Sequence, residues 1–334
     1  MANTRGTLSI LACESGEPFA NKVLEVFKEK EKEVRFIDSK QIQFANSEIK
    51  TIIEESIRGT DIYIFQDVEN STNGSVDENL RALKTAVETA WRCDASYITA
   101  VVPVFPYARQ DKQIRRESIT AAAVAREIED SNADHVITLD IHNPAIEGYF
   151  RRAKFENLRA YKTLVDYIKS HPDDFDFGNI VVMAPDLGGA TRAGLYANQL
   201  GVEPVFSYKK RDGDNSVKSI QIIGEVKDRD VLIVDDMIDT AGTIMEAVRA
   251  SKDAGAQRVY ASCSLPLFNG DALEKIAKSY DDGFLTAVIS TDAVYHGADF
   301  QQQNPWFREV SVASYFAKVI RSMNNRESIS ALLK

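Results

Sequence analysis

Short apolar runs recur along the whole chain, and amphipathic stretches separate many of them. The runs cover residues 8–12, 62–65, 98–105, 136–139, 180–184, 231–234, 259–263 and 285–289. Between them, apolar residues fall three and four positions apart, as at Leu80, Leu83 and Val87. This alternation predicts an α/β fold in which helices cover both faces of a mainly parallel sheet. Such sheets bind ligands beyond the carboxyl ends of their strands, so the residues that follow each run are the first candidates for a site.

The length of 334 residues predicts two domains. No proline-rich linker or low-complexity tract marks a boundary, but a charged stretch from Arg151 to Glu156 separates two α/β blocks of similar size. We therefore predict two similar domains, an N-terminal one over residues 1–155 and a C-terminal one over residues 156–334. Each is expected to be a mainly parallel sheet flanked by helices.

The composition excludes some classes of partner. The formal net charge of −10 argues against a nucleic-acid or anionic-membrane surface, so an anionic substrate must be bound by local clusters of positive charge.

Cys13, Cys93 and Cys263 show no metal-binding spacing, as is typical of a reducing compartment. Residues 1–6 contain no long apolar run, so we expect neither a signal peptide nor a membrane span, and we expect a cytoplasmic protein.

The most specific motif is V-L-I-V-D-D-M-I-D-T-A-G-T, over residues 231–243. A buried strand ends at the adjacent carboxylates Asp235 and Asp236, and a loop of small residues leads into a helix. Unpaired backbone N–H groups at such a helix start bind anions. The paired carboxylates would repel a bare phosphate, so they require sugar hydroxyls or a metal ion to face. An ordinary strand-to-helix turn explains the glycine and the threonines but not the two carboxylates, and the motif predicts a pocket for a phosphorylated sugar.

A basic loop follows the run at 98–105. Arg109, Gln110 and Lys112 come directly after a turn constrained by proline, and Arg115 and Arg116 follow them. One interpretation is a mobile loop that closes on a polyphosphate. The alternative is a solvated surface loop, because runs of charge usually face water.

Two further strand ends carry single candidate ligands. His142 lies just beyond the run at 136–139, where it would contact a metal or a phosphate, or serve a structural role. Asp186 begins D-L-G-G-A-T-R, where the glycines permit close backbone approach. Its carboxylate suits a Mg²⁺-bound water or a ribose hydroxyl, and it is also a typical helix cap.

Lys209, Lys210 and Arg211 form a second basic cluster, after a strand-like segment. In an acidic protein such a cluster is suited to hold phosphate groups. The turn-forming residues that follow, Asp212 to Asn215, support the alternative of a hairpin rim.

Taken together, these motifs resemble the ribose-phosphate diphosphokinase family, also called phosphoribosyl pyrophosphate synthetases, along nearly the whole chain. V-D-D-M-I-D-T-A-G-T is similar to the ribose-5-phosphate loop that this family shares with the type I phosphoribosyltransferases. The other matching segments are F-A-N-S-E, S-I-R-G, F-P-Y-A-R-Q-D-K, L-D-I-H, P-D-L-G-G-A and K-K-R, in the family's order and spacing.

The resemblance implies transfer of the diphosphoryl group of ATP to the 1-hydroxyl of ribose 5-phosphate, with release of AMP. It implies two domains of the type I phosphoribosyltransferase fold, a requirement for Mg²⁺, and a homo-oligomer built from dimers, up to a hexamer. It assigns ribose 5-phosphate to Asp235, Asp236, Asp239, Thr240, Ala241, Gly242 and Thr243. It assigns ATP to Phe44, Asn46, Glu48, Arg109 and Gln110, the first three supplied by a neighbouring subunit. It assigns Mg²⁺ to His142 and Asp186, and stabilisation of the transferring group to Lys209 and Arg211.

Two other functions fit part of the pattern. A type I phosphoribosyltransferase shares the loop at 235–243, but the N-terminal half with F-A-N-S-E and R-Q-D-K argues against it. A non-catalytic regulatory paralogue would keep the fold and lose catalytic groups, whereas His142, Asp186 and the basic cluster are all present here.

Overall fold

The structure is a computed structural model that describes residues 4–30, 33–69, 74–211 and 217–333. For residues 209–211 and 217–220 it describes the backbone alone. The chain divides into two compact units. The first consists of Met1–Arg159, Ala293–Tyr295 and Val312–Lys334, and the second of Ala160–Asp292 and His296–Ser311.

A six-stranded sheet forms the centre of the first unit. Its elements are β1 (Leu8–Ala12), α1 (Glu17–Glu29), β2 (Arg35–Phe36), β3 (Ser39–Gln43), β4 (Ile49–Ile53), β5 (Asp61–Phe65), α2 (Val76–Arg92), β6 (Tyr97–Val101), α3 (Thr120–Asp130), β7 (His135–Leu139) and β8 (Lys154–Leu158). The strand order is β2-β1-β5-β6-β7-β8, and every pairing is parallel. Strands β3 and β4 form a separate antiparallel hairpin. The central strands β5, β6 and β7 are buried along nearly their whole length because both faces of a parallel sheet are covered.

The second unit contains a seven-stranded sheet. Its elements are α4 (Tyr161–Lys169), β9 (Ile180–Ala184), α5 (Ala190–Leu200), β10 (Glu203–Arg211), β11 (Val217–Ile223), β12 (Asp230–Ile238), α6 (Gly242–Asp253), β13 (Val259–Pro266), α7 (Ala272–Asp281), β14 (Ala287–Thr291), α8 (Phe300–Gln303) and β15 (Phe307–Val310). The strand order is β11-β10-β9-β12-β13-β14-β15, and only the edge pair β10–β11 is antiparallel. The predicted class, an α/β protein with two similar, mainly parallel sheets, is confirmed.

All of the apolar runs predicted as strands lie in or overlap strands of these sheets. The strands without such a run lie at the edge of a sheet, as β2, β8 and β15 do, or in a hairpin. The hairpin strand β3, for example, has mostly exposed, polar side chains. Among the described residues, no helix is both long enough and apolar enough to cross a membrane.

The C-terminal segment returns to the first unit through α9 (Ala313–Asn324) and α10 (Ser330–Leu333). Phe316 on α9 packs edge-on against Phe19 on α1, with ring centroids 5.0 Å apart. The Asn324 side-chain amide donates to the Gly6 carbonyl and to Asp61 Oδ2, both at 3.0 Å. The compact units therefore differ from the predicted domains, because residues 156–159, 293–295 and 312–334 all belong to the first unit. The long-range contacts of residues 312–334 leave no signal in the local sequence.

Both sheets contain a topological switch point, which is a place between two neighbouring strands from which the chain connections run to opposite sides of the sheet. In the first sheet it lies between β1 and β5, and in the second between β9 and β12. The first switch point depends on a close backbone approach. A Cβ atom at Gly16, just after β1, would lie 2.3 Å from the Phe65 carbonyl oxygen at the end of β5.

We expect Gly16→Ala to destabilise the protein by about 2 kcal/mol or more, because the added methyl group meets backbone atoms that cannot move independently. Gly148→Ala is the matched control, since a Cβ atom at Gly148 meets nothing within 4 Å. Chemical denaturation of both variants would measure the difference. Equal stability of the two variants would contradict the interpretation.

Candidate functional site

The switch point of the second sheet brings together two of the predicted motifs. Asp186 follows β9, and residues 235–243 run from the end of β12 into α6. The short 3-10 turn Leu187–Gly189 contacts both strands. Because both segments lie at the carboxyl ends of neighbouring parallel strands, they occupy the position where ligands bind in such sheets.

The paired carboxylates share one arginine. Arg192 on α5 donates from Nη1 to Asp235 Oδ1 at 2.9 Å, and its Nη2 lies 3.6 Å from Asp236 Oδ1. Asp235 Oδ1 also accepts from the Asp236 backbone N–H at 2.9 Å. Asp236 is buried, and Asp235 is half-buried. The two carboxylates therefore meet a bidentate cation rather than bulk water.

Burial is the largest influence on the pKa of Asp235. Desolvation, together with repulsion from Asp236, raises the pKa of Asp235 to about 8, and Arg192 opposes this shift. Asp235 lies opposite Cys263 on β13 in the sheet register. Burial also raises the pKa of the Cys263 thiol to about 12, so Cys263 is a small neutral group beneath the carboxylates.

Two residues from the segment around α7 hold the loop that follows Asp235 and Asp236. Asn269 Nδ2 donates to Asp239 Oδ1 at 2.8 Å. Lys275 Nζ donates to the Thr240 carbonyl at 3.2 Å and pairs with Asp271 at 2.7 Å. Ala241 has a left-handed backbone, with φ of 59°, directly before α6 begins at Gly242. The first N–H groups of a helix have no acceptor inside it, so this geometry is suited to an anion.

Asp186 serves as a local cap. Its Oδ1 accepts from the Gly189 backbone N–H at 3.1 Å, as the structural alternative predicted. The side chain is exposed at the end of β9. Capping through one oxygen leaves the group accessible to a ligand, so the cap and a binding role are compatible.

In the first unit, the structure brings the basic loop next to the loop of His142. Arg109 and Gln110 lie beyond β6 and His142 lies beyond β7, and these strands are neighbours. Asn143 Nδ2 donates to Asp111 Oδ2, and Tyr149 Oη donates to the Asp111 carbonyl. Asp111 is buried, whereas residues 112–119 are exposed, so the loop is anchored at its start and accessible beyond it.

The remaining ATP candidates of this unit lie on the β3–β4 hairpin. Phe44, Asn46 and Glu48 form its turn, in which Asn46 Oδ1 accepts from the Glu48 N–H at 3.3 Å. Phe44 is 49% exposed. An exposed aromatic ring at a hairpin tip is available to contact another molecule.

Lys209 and Arg211 lie at the end of β10, which pairs with β11 as an antiparallel hairpin. Their side chains lie outside the described part of the structure, as do residues 212–216. The hairpin suggested by the turn-forming residues is present. The role of the basic cluster remains a prediction.

The sequence interpretation gave no role to three residues that contact the site: Arg192, Asn269 and Lys275. Arg192 stood inside the quoted motif D-L-G-G-A-T-R, so a signal existed. Asn269 and Lys275 reach the loop from the segment after β13, and no local pattern connects them with it.

The fold and site together define a protein of the phosphoribosyltransferase fold class. A family model described as the N-terminal domain of ribose phosphate pyrophosphokinase matches residues 8–131, and one described as a phosphoribosyl transferase domain matches residues 155–297. The ribose-phosphate pyrophosphokinase of Chlorobaculum tepidum is 39% identical over 296 residues, which cover 88% of this chain and 87% of that protein. Ribose-phosphate pyrophosphokinase 2 of Enterococcus faecalis is 35% identical over 98% of this chain and 96% of its own length. The crystal structure of phosphoribosylpyrophosphate synthetase from Mycobacterium smegmatis matches with a TM-score of 0.82 and 30% identity, over 95% of this chain and 98% of that one.

The chain therefore belongs to the ribose-phosphate pyrophosphokinase family, and the resemblance drawn from the motifs is confirmed.

We expect Asp235→Asn to stabilise the folded protein between about pH 4 and pH 8, by an amount that grows with pH. The carboxyl pKa is 3.8 as a reference and about 8 in the folded protein. The wild type therefore loses stability as pH rises through this window, whereas an amide does not titrate. Below the window both side chains are neutral, and the difference should vanish. Thermal denaturation across a pH series measures it.

Asp230→Asn is the matched control at the other end of β12. Asp230 is buried and pairs with Arg258 at 2.6 Å, so its replacement should lower the denaturation midpoint. The raised pKa of Asp235 would be contradicted if the denaturation midpoint of Asp235→Asn lay below that of the wild type at about pH 8.

Proposed function

We propose that this protein transfers the diphosphoryl group of ATP to the 1-hydroxyl of ribose 5-phosphate, giving 5-phosphoribosyl 1-diphosphate and AMP. The observation that carries the proposal is the pairing of Asp235 and Asp236 with an anion-binding loop at one switch point, in a chain of this family. A protein that acts on a phosphorylated sugar must bind both the sugar and the phosphate. Carboxylates accept hydrogen bonds from the sugar hydroxyls, and backbone N–H groups at a helix start donate to the phosphate.

The acceptor substrate would lie along β12 and the start of α6. Asp235 and Asp236 would accept hydrogen bonds from the ribose hydroxyls, and residues 239–243 would hold the 5-phosphate. The contacts from Asn269 and Lys275 support this role because they fix the loop in advance of binding. Fixed groups lose little conformational entropy when the substrate arrives.

The nucleotide would use residues of the first unit. Arg109 and Gln110 would contact ATP from the loop that Asp111 anchors. Phe44, Asn46 and Glu48 would contact it from a neighbouring subunit, through the exposed hairpin tip. The protein would accordingly be a homo-oligomer built from dimers. Its free cysteines fit a cytoplasmic setting.

The metal implied by the resemblance is Mg²⁺, with His142 and Asp186 as its assigned residues. Among the residues described by the structure, no three His, Cys, Asp or Glu side chains gather into a metal site. Mg²⁺ is commonly held by one or two carboxylates, with water and substrate phosphates completing its shell. The exposed carboxylate of Asp186 suits this arrangement. The imidazole of His142 suits Mg²⁺ less well than an oxygen and would contact the metal–phosphate group. Bound Mg²⁺ would neutralise charge on the phosphate oxygens.

The transfer step itself requires positioning and charge. The 1-hydroxyl must lie in line with the bond between the α- and β-phosphates, which breaks as AMP leaves. Lys209 and Arg211 would stabilise the charge on the transferring group, and the exposed loop at 112–118 would exclude water that otherwise hydrolyses ATP. No covalent intermediate with the protein is needed.

Purified protein with ATP, ribose 5-phosphate and Mg²⁺ should release AMP and form 5-phosphoribosyl 1-diphosphate in equal amounts. Separation of the nucleotides by chromatography measures the first product, and a coupled phosphoribosyltransferase measures the second. Omission of ribose 5-phosphate is the control, because the same AMP release without it would indicate hydrolysis. Absence of AMP across a range of metals and inorganic phosphate concentrations would reject the function.

Lys209→Ala should lower kcat about a hundredfold or more while changing either KM far less, since its charge acts mainly in the transition state. Lys278→Ala is a suitable control, because Lys278 is an exposed residue of the same unit that pairs with Asp282, four residues along the chain, at 3.5 Å. Steady-state kinetics with each substrate varied would separate the two parameters. An unchanged kcat would remove Lys209 from the reaction.

A further inference from the structure

Arg192 is placed where a single side chain touches both carboxylates of the acceptor site. It lies on the first turn of α5, and its side chain is 24% exposed. The guanidinium contacts Asp235 at 2.9 Å and Asp236 at 3.6 Å. Arginine suits this position because its planar fork offers several donors in fixed directions, whereas a lysine offers a single charged point.

The carboxylates need such a cation for a physical reason. Two adjacent carboxylates at the end of a buried strand repel each other, and burial penalises the charge on each. Ribose hydroxyls are neutral and can donate hydrogen bonds, but they cannot supply the missing positive charge. A cation that remains in place keeps both groups able to accept from the sugar.

The position of Arg192 on α5 adds a geometric constraint. Asp186 lies just before the short 3-10 turn Leu187–Gly189 that leads into α5, and it caps this turn through the Gly189 N–H. A bridge from α5 to β12 therefore fixes the segment that follows β9 against the end of β12. The orientation of the carboxylates is set by this bridge as well as by their own strand.

We propose that Arg192 is a positioning residue for ribose 5-phosphate, which holds Asp235 and Asp236 in place as acceptors for the ribose hydroxyls. The inference rests on the proposed function, since it names a residue for the acceptor substrate of that reaction. Arg192 acts through the carboxylates and takes no part in the transfer step.

The test compares Arg192→Met and Arg192→Lys with Arg258→Lys. Arg258 is the matched control, because it pairs with Asp230 at 2.6 Å at the opposite end of the same strand. For Arg192→Met we expect the KM for ribose 5-phosphate to rise about tenfold or more, the typical effect of losing a charged hydrogen bond. The kcat and the KM for ATP should stay within about twofold. Arg192→Lys should recover part of the loss, and Arg258→Lys should leave every kinetic parameter unchanged.

A double-mutant cycle with Asp235→Asn tests whether Arg192 acts through the carboxylates. In the Asp235→Asn background, Arg192→Met should cost clearly less than in the wild type. Additive effects would overturn the proposal. So would an unchanged KM for ribose 5-phosphate, a fall confined to kcat, or an equal rise in KM for Arg258→Lys.

Titration calorimetry with ribose 5-phosphate separates this proposal from the proposed function. If the wild type releases no AMP but binds ribose 5-phosphate, and Arg192→Met binds it about tenfold more weakly, the transfer activity fails and the role of Arg192 stands. If the wild type binds no ribose 5-phosphate, both fail. Thermal denaturation shows which variants are folded, and Arg192→Lys replaces Arg192→Met in the comparison if the latter does not fold.

Discussion

Arg192 contacts both acidic side chains of β12, Asp235 and Asp236, and the second unit's candidate site depends on this interaction. β12 pairs with β9 on one side and with β13 on the other, so its end is enclosed by neighbouring strands. Charges placed there lose much of their hydration, and the fold must supply a partner. Helix α5 supplies it from the neighbouring crossover. The same enclosure places the small-residue loop at the start of α6 beside the carboxylates, so that the carboxylates and the helix start share one edge of the sheet.

The site contains two features that are unfavourable on their own. Burial raises the pKa of Asp235 to about 8, and Ala241 adopts a left-handed backbone that favours glycine. Such features persist only when surrounding contacts impose them, and they are typical of binding sites. Here the contacts come from Arg192, Asn269 and Lys275. The apolar strands β9, β12, β13 and β14, which are neighbours in the sheet, support these contacts.

The sheet of the first unit has the strand order of the second sheet without its antiparallel edge strand β11, and it carries a different set of groups. Its switch point requires the close approach of Gly16 to β5, and Arg109, Gln110 and His142 follow the next two strands, β6 and β7. The anchor at Asp111 fixes one end of an otherwise exposed basic loop. The C-terminal helix α9 completes this unit through aromatic packing against α1 and the hydrogen bonds of Asn324. Because residues near both ends of the chain belong to the first unit, no single boundary in the sequence separates the two units.

The sequence by itself determined the α/β class, the central strands and the residues at their carboxyl ends, including Asp186, Asp235 and Asp236. These follow from local patterns, since periodicity and the residues directly after a strand depend on near neighbours alone. The tertiary structure decided the order of the strands, the return of α9 to the first unit, and the contacts of Arg192, Asn269 and Lys275. These depend on pairs far apart in the chain, whose proximity is set by sheet pairing and helix packing, and no local pattern encodes them.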